Sequence, residues 1–178
     1  PCYNTENTVL ETIASVKEQE YSNWEAIIVN DGSPDNLEDI VLDYIKDDKR
    51  FKYFKKENGG LASARNFGIK KSEGDYVLPL DSDNKVRPQF LQWASEILKK
   101  NESISVLYGD AQRFGDDSSF WSVGEFNKLM ILKGNYIDAC AIIKKEVFEK
   151  VGSYDENMPY QGFEDWELWI RCYANGCE

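Results

Sequence analysis

The chain has 178 residues, of which 42% are hydrophobic, and this composition suits one globular domain with one core. Its formal net charge of -11 argues against nucleic acid as the main partner, because nucleic acids bind basic surfaces. The sequence contains no histidine, which excludes histidine-based acid–base catalysis and histidine-ligated metal sites.

Strands and helices are predicted in alternation along the chain. Hydrophobic spacing and turn residues predict helices over residues 6–20, 36–46, 61–74, 88–100, 145–152 and 164–174. Short apolar or alternating runs predict strands over residues 25–30, 51–55, 76–80, 104–108 and 139–145. Residues 110–135 are mixed, and Pro79 predicts a local irregularity in its strand because proline cannot donate to a β-ladder.

This alternation predicts βαβ units and an α/β fold. The expected architecture is a Rossmann-type three-layer sandwich with a mostly parallel central sheet and helices on both faces. In such sheets ligands bind beyond the carboxyl ends of the strands. Asp31, Asp81 and Asp83 follow predicted strands, so we expect them to converge on one rim of the sheet.

The stretch Asp81-Ser82-Asp83 directly follows an apolar run. Two carboxylates around one small residue can share a hard cation such as Mg²⁺ or Mn²⁺, which takes oxygen ligands and often substrate phosphates. A solvated turn is the alternative interpretation, because D-x-D alone is a common pattern.

Two further turns carry polar groups. Asp31, in VNDGS, could accept the imide N–H of a uracil-like base, or could simply favour a β-turn. Gly59 and Gly60 permit close backbone approach, and Arg65 could meet a phosphate. A plain turn with a surface arginine fits equally well, and neither a GxGxxG motif nor a P-loop is present.

The adjacent acids Glu164 and Asp165 open the last predicted helix. The helix macrodipole favours negative charge there and would help to keep Asp165 ionised, as a general base requires. Ordinary charge complementarity at a helix start is the alternative.

Five segments together resemble the family 2 glycosyltransferases of the GT-A fold: PCYN at 1–4, VNDGS at 29–33, ENGGLASARNFGI at 57–69, LDSDN at 80–84, and KEVFEKVGSYDE with FEDWELWIR within 145–171. The resemblance implies transfer of a sugar, with inversion, from a nucleotide-diphosphate donor to an acceptor hydroxyl. It implies Mg²⁺ or Mn²⁺ as cofactor and a saccharide or glycolipid as acceptor.

The resemblance also implies residue roles. Tyr3 and Asp31 match the pair that holds the nucleotide base, and Arg65 matches a residue near the base and phosphates. The metal ligands are Asp83 and Asp81, the latter also facing the ribose. Asp165 matches the catalytic base, with Glu164 beside the acceptor. The remaining residues expected at the donor are Pro1, Gly60 and Ser82.

We expect one GT-A domain over residues 1–178, as a fragment without the family's first strand and C-terminal part. A non-catalytic nucleotide-sugar-binding module or an inactive fragment is the alternative. A nucleotidyltransferase is disfavoured, because those enzymes open with a glycine-rich basic loop where this chain has YNTENTV. Uracil is the favoured base, with thymine and guanine left open.

The expected location is the cytoplasm, including the inner face of the membrane. The four cysteines form no Cys-x-x-Cys pair, which disfavours a zinc site and favours a reducing compartment. No apolar run approaches the roughly 18 residues that a membrane-spanning helix needs.

Overall fold

The structure is a computed structural model that describes residues 1–160 and 162–178. The helices are α1 (Val9–Lys17), α2 (Leu37–Ile45), α3 (Leu61–Lys71), α4 (Phe90–Lys100), α5 (Lys128–Ile131), α6 (Lys145–Val151) and α7 (Glu164–Ala174). The strands are β1 (Ala26–Asn30), β2 (Phe51–Lys55), β3 (Tyr76–Val77), β4 (Val106–Leu107), β5 (Ala111–Gln112), β6 (Phe120–Trp121) and β7 (Ile142–Lys144).

Helices cover both faces of the parallel pair β1–β2, in which Ala26 aligns with Phe51 and Asn30 with Lys55. Successive side chains of a strand point to opposite faces. On one face Ile28 packs in a core cluster with residues of α1 and α2. On the other face β1 contacts α3. The carboxyl end of β1 therefore opens directly toward the start of α3.

A second layer surrounds β7, which pairs antiparallel with β3 on one side and with β4 on the other. Its core cluster joins β7 to α5, α6 and α7, and includes Ile131, Ile143, Val147, Leu168 and Trp169. Strands β5 and β6 form a separate antiparallel pair. This layer fixes the position of the N-terminus of α7.

The predicted α/β class with a parallel sheet and helices is confirmed, and the predicted elements occur in the predicted order. The strands β5 and β6 were not predicted and lie within the segment 110–135 that the sequence left as mixed. The predicted extents were too long in several places. The strand predicted over residues 76–80 pairs only at Tyr76–Val77, just before Pro79, and the helix predicted to end at Gly74 ends at Lys71. In the part of the chain that the structure describes, parallel pairing occurs in β1–β2 and in the bridge between Cys2 and Asn30, whereas β7 pairs antiparallel with β3 and β4.

A groove with a volume of about 960 Å³ lies between the two layers. Most of its lining is apolar, including Val29, Leu78, Leu91, Leu98 and Ile142. Cys2 pairs in parallel with Asn30 at one end of the groove, so any residues ahead of Pro1 in the same direction would run along β1. The predicted lack of a first strand stays a prediction.

Candidate active site

Asp31, at the end of β1, is 3% exposed and organises the glycine loop that follows β2. Its carboxylate accepts the Gly59 N–H at 3.1 and 3.2 Å and the Gly60 N–H at 2.8 Å. The Lys56 ammonium completes the shell at 2.6 Å from Oδ1. Asp31 therefore holds the start of α3 against the end of β1, and its predicted contact with a base stays a prediction.

Glycine is required next to this carboxylate. Gly32 has a φ of +69°, in the left-handed region, and a Cβ there would lie 2.8 Å from the backbone nitrogen of Asn58. The Asn58 side chain also donates to the Asp31 carbonyl oxygen at 2.9 Å. The DGS turn and the NGG turn are thus pressed together, which explains why both are rich in glycine.

Tyr3 stands beside the DGS turn with about half of its surface exposed. The chain is fixed on both sides of it: Cys2 pairs with Asn30, and the Asn4 N–H donates to Ser33 Oγ at 2.6 Å. Asn4 itself adopts a φ of +57°. An exposed aromatic ring on a fixed backbone is suited to stacking on a planar ligand.

Arg65, on α3, is 4% exposed and joins two carboxylates from distant parts of the chain. Its Nη1 donates to Glu164 Oε1 at 2.7 Å, and its Nη2 donates to Asp81 Oδ1 at 2.8 Å. The guanidinium also lies 5.4 Å from the centroid of the Tyr154 ring. Because both terminal nitrogens bind carboxylates, Arg65 acts here as a bridge; its predicted approach to a phosphate stays a prediction.

Asp81, Ser82 and Asp83 form a turn closed by the Asn84 N–H, which donates to the Asp81 carbonyl oxygen at 3.0 Å. Ser82 is buried, whereas Asp83 is exposed. Burial raises the pKa of the Cys2 thiol, and the positive charge of the N-terminus and a hydrogen bond with Ser82 oppose this shift.

This turn suits a cation that the substrate helps to bind. Within residues 1–160 and 162–178, no three Asp, Glu or Cys side chains gather into a ready-made metal cage. Mg²⁺, however, commonly takes only one or two carboxylates and completes its shell with water and substrate phosphates. The exposed Asp83 and the free oxygen of Asp81 fit such a donor set.

Asp165 lies in the first turn of α7 and is 8% exposed. Its carboxylate accepts the Trp166 N–H at 2.7 Å and an Asn135 side-chain N–H at 2.9 Å. Burial raises the pKa of Asp165; these two hydrogen bonds oppose the shift, and the neighbouring Glu164 charge adds to it. The expected ionising effect of the helix start is therefore outweighed by burial.

One helix ties the predicted site together. Asp31 binds Gly60, the residue before α3, and Arg65 within α3 binds both Asp81 and Glu164. Asp165 follows Glu164 on α7. Three acids from separate motifs thus bind the start of α3 or its first two turns. Beside them, Asp83 is an exposed carboxylate, and Asp165 is a buried carboxyl of raised pKa.

Sequence reasoning missed three residues of the site: Lys56, Asn135 and Tyr154. Lys56 directly precedes the ENGG segment, and its position next to a recognised motif is a usable signal. Asn135 ends the mixed segment, where no periodicity marks it. Tyr154 lies in a loop, yet is 3% exposed beside Arg65.

An α/β domain with acids at strand ends and an acidic helix start fits the class of GT-A glycosyltransferases. The model of glycosyl transferase family 2 matches residues 1–152, and the chain belongs to this family. An uncharacterized glycosyltransferase of Rickettsia bellii is 34% identical over 96% of this chain and 25% of its own length. The poly-beta-1,6-N-acetyl-D-glucosamine synthase of Staphylococcus epidermidis is 33% identical over 97% of this chain and 45% of its own length.

Solved structures share the fold. S. aureus TarS 1-349 in complex with UDP-GlcNAc superposes with a TM-score of 0.81 at 22% identity, covering 98% of this chain and 52% of that chain. The mannosyltransferase PcManGT from Pyrobaculum calidifontis, in complex with GDP-Man and Mn²⁺, gives a TM-score of 0.75 at 17% identity, covering 98% and 51%.

The chain spans about a quarter to somewhat more than half of the length of the curated relatives that it matches first. Across the part of the chain that the structure describes, no helix combines the length and apolarity needed to cross a bilayer.

Proposed function

We propose that this glycosyltransferase domain moves a sugar, with inversion, from a UDP-sugar to a hydroxyl of a saccharide or glycolipid, in a metal-dependent reaction. The observation that carries the proposal is the bridge from Arg65 to Asp81 and Glu164. It joins the turn suited to a donor diphosphate to the helix that presents Asp165. We place the reaction in the cytoplasm, in the synthesis of cell-surface polysaccharide or glycoconjugate.

The relatives support this donor class. TarS is described in complex with UDP-GlcNAc, and the S. epidermidis relative is named a poly-beta-1,6-N-acetyl-D-glucosamine synthase. The Pyrobaculum enzyme is described with GDP-Man and Mn²⁺, so guanine stays the alternative base. Tyr3 would stack on the base, and Asp31 with Gly60 would frame it.

The proposed mechanism uses Asp165 as a base at one end of the site and the turn of Asp81 and Asp83 as a metal site at the other. Asp165 takes the proton of the incoming hydroxyl while that oxygen attacks the anomeric carbon from the side opposite the diphosphate. Glu164, held by Arg65, fixes the start of α7 and so the direction in which Asp165 approaches. Mg²⁺ or Mn²⁺ at Asp83 and Asp81 would neutralise the charge on the departing diphosphate. One base and one displacement suffice, so the reaction needs no covalent intermediate between the sugar and the enzyme.

We expect Asp83→Ala to weaken Mn²⁺-dependent binding of UDP, because it removes the exposed carboxylate of the turn. Titration calorimetry with UDP should show an affinity loss of about tenfold or more in Mn²⁺, and little change in a chelator. Asp116→Ala, an exposed aspartate in the segment that joins β5 and β6, is the matched control. Unchanged Mn²⁺ titration curves in the Asp83 variant would contradict the ligand assignment.

Asn135→Leu should shift the pH profile of transfer. The Asn135 hydrogen bond lowers the pKa of Asp165, so its loss raises that pKa further above the ordinary value. A base works only when deprotonated, and the acid limb of kcat/KM should therefore move to higher pH. Transfer rates measured from pH 4 to 9 provide the check. An acid limb that stays in place, with the variant folded, would exclude Asp165 as the titrating base.

Thermal-shift measurements distinguish an enzyme from a non-catalytic nucleotide-sugar-binding module. UDP, GDP and dTDP, each with and without Mn²⁺, should raise Tm to different degrees, with UDP and Mn²⁺ the largest, because ligands stabilise the state that binds them. No stabilisation by any of the three would count against both an enzyme and a nucleotide-sugar-binding module. Stabilisation without donor hydrolysis or transfer would favour the module.

A further inference from the structure

Lys56 occupies an unusual position for a lysine, because it is largely covered and joined to a buried acid. Its Nζ lies 2.6 Å from Asp31 Oδ1 and 2.7 Å from the Glu57 carbonyl oxygen. The Lys56 side chain is 18% exposed, whereas that of Asp31 is 4% exposed. Of the two partners, the lysine is therefore the one that solvent and ligands can reach.

Asp31 and Lys56 also differ in how much of their hydrogen-bonding capacity is used. A carboxylate offers about four acceptor positions, and Asp31 receives Lys56, Gly60 and both contacts of the Gly59 N–H. Three N–H groups therefore use most of its acceptor capacity. An ammonium carries three N–H groups, and Lys56 uses two, on Asp31 and on the Glu57 carbonyl oxygen. Within residues 1–160 and 162–178, the third N–H has no assigned acceptor.

Lys56 lies next to the turn and the glycine loop that are proposed to hold the base of the donor. Asp31 directly follows β1 and precedes Gly32, and Tyr3 stands exposed beside this turn. A Cβ on Gly59 would lie 2.8 Å from Lys56 Nζ, so the ammonium rests directly on the glycine loop. Cys2 and Lys55 pair with Asn30 from its two sides, so Tyr3 and Lys56 flank the turn that follows β1.

We propose that Lys56 is a specificity-determining residue of this glycosyltransferase, donating its third N–H to a carbonyl oxygen on the edge of the donor's base. The proposal rests on the nucleotide-sugar donor proposed above. Uracil, thymine and guanine carry such an oxygen and adenine carries none, so the lysine selects against adenine nucleotides. Asp31 then serves as the buried anion that fixes the lysine and the glycine loop.

The test uses titration calorimetry in Mn²⁺ with three probes: UDP, ADP and inorganic pyrophosphate. Wild type should bind UDP more tightly than ADP. Lys56→Met should weaken UDP about 10- to 100-fold, as expected for the loss of a hydrogen bond from a charged group, and leave ADP and pyrophosphate within about twofold. Lys55→Met is the matched control, because Lys55 is the adjacent lysine, half-exposed and paired with the surface residue Glu38.

Lys56→Gln is a second variant that keeps the proposal testable if Lys56→Met fails to fold. Its amide still donates to Asp31, so the buried carboxylate keeps a partner, and its shorter side chain no longer reaches the base. The same loss of preference for UDP over ADP is expected.

Equal weakening of UDP, ADP and pyrophosphate would assign Lys56 to the phosphates or to loop structure, and would overturn the proposal. Unchanged UDP affinity in a folded variant would overturn it as well, while leaving the donor class intact. A wild-type protein that binds no UDP would instead contradict the proposed function, and this inference with it.

Discussion

Asp165→Asn should abolish most sugar transfer while leaving nucleotide binding in place. A general base contributes about 10²- to 10⁴-fold to a rate, and asparagine keeps the shape of aspartate without its basicity. Donor hydrolysis and transfer should fall by that factor, and the Kd of UDP with Mn²⁺ should stay within about twofold. Initial rates and calorimetry on the same preparation make the comparison.

The same substitution should raise stability at neutral pH. Burial raises the pKa of Asp165 in the folded state, so the folded protein holds this proton more tightly than the unfolded chain. The contribution of Asp165 to stability is therefore most favourable at low pH and is lost as pH rises through its folded pKa. A neutral asparagine avoids that cost, and its amide can pair with Asn135 after a rotation of either group. Tm at pH 7 should increase.

Asp155→Asn provides the control for both measurements, because Asp155 is an exposed aspartate in the loop before α7. It should change neither rate nor Tm. Transfer at the wild-type rate in the Asp165 variant would remove this residue from the role of base. A lower Tm at pH 7 would contradict the direction of its pKa shift.

Arg65→Met should have the largest effect on folding. It leaves the carboxylates of Glu164 and Asp81 without their shared cation in a mostly buried site. Removing one partner of a buried ion pair costs about 3–5 kcal/mol, and a domain of this size loses roughly 2–4 °C of Tm per kcal/mol. Thermal and urea unfolding at pH 7 should show a loss of that order.

Two further variants test the cause of this loss. Glu164→Gln in the Arg65→Met background removes one of the two stranded charges and should recover part of the stability, as a double-mutant cycle measures. Arg113→Met removes an exposed arginine paired with the exposed Asp117 and should change little. A fully stable Arg65→Met protein would show that the bridge from α3 to the Asp81 turn and to α7 contributes nothing to stability.

Local patterns were sufficient to predict most of the elements and the family. Apolar spacing predicted α7, observed at Glu164–Ala174, and alternation predicted β2, observed at Phe51–Lys55. The motifs around Asp31, Asp81 and Asp165 carried the resemblance, and the family model confirms the family over residues 1–152, which contain the first two of these motifs. These features depend on neighbours within a few residues, and such information is present in the sequence itself.

The extents of strands were less predictable, because pairing depends on partners far along the chain. Residues 76–80 read as one apolar strand, yet only Tyr76 and Val77 find a partner, on β7 some 66 to 68 residues later. The antiparallel direction of that pairing is likewise set by how the second layer packs, and no pattern within residues 76–80 specifies it.

By itself, the sequence determined the α/β class and the family, and it predicted which acids belong to the candidate site. The tertiary structure alone decided how those acids are connected: Arg65 reaches Glu164 across 99 residues, and Lys56 reaches Asp31 across 25. It also decided the state of Asp165, since burial rather than the helix start sets the direction of its pKa shift. Contacts and burial of this kind arise only when distant segments pack together, so local sequence patterns could not predict them.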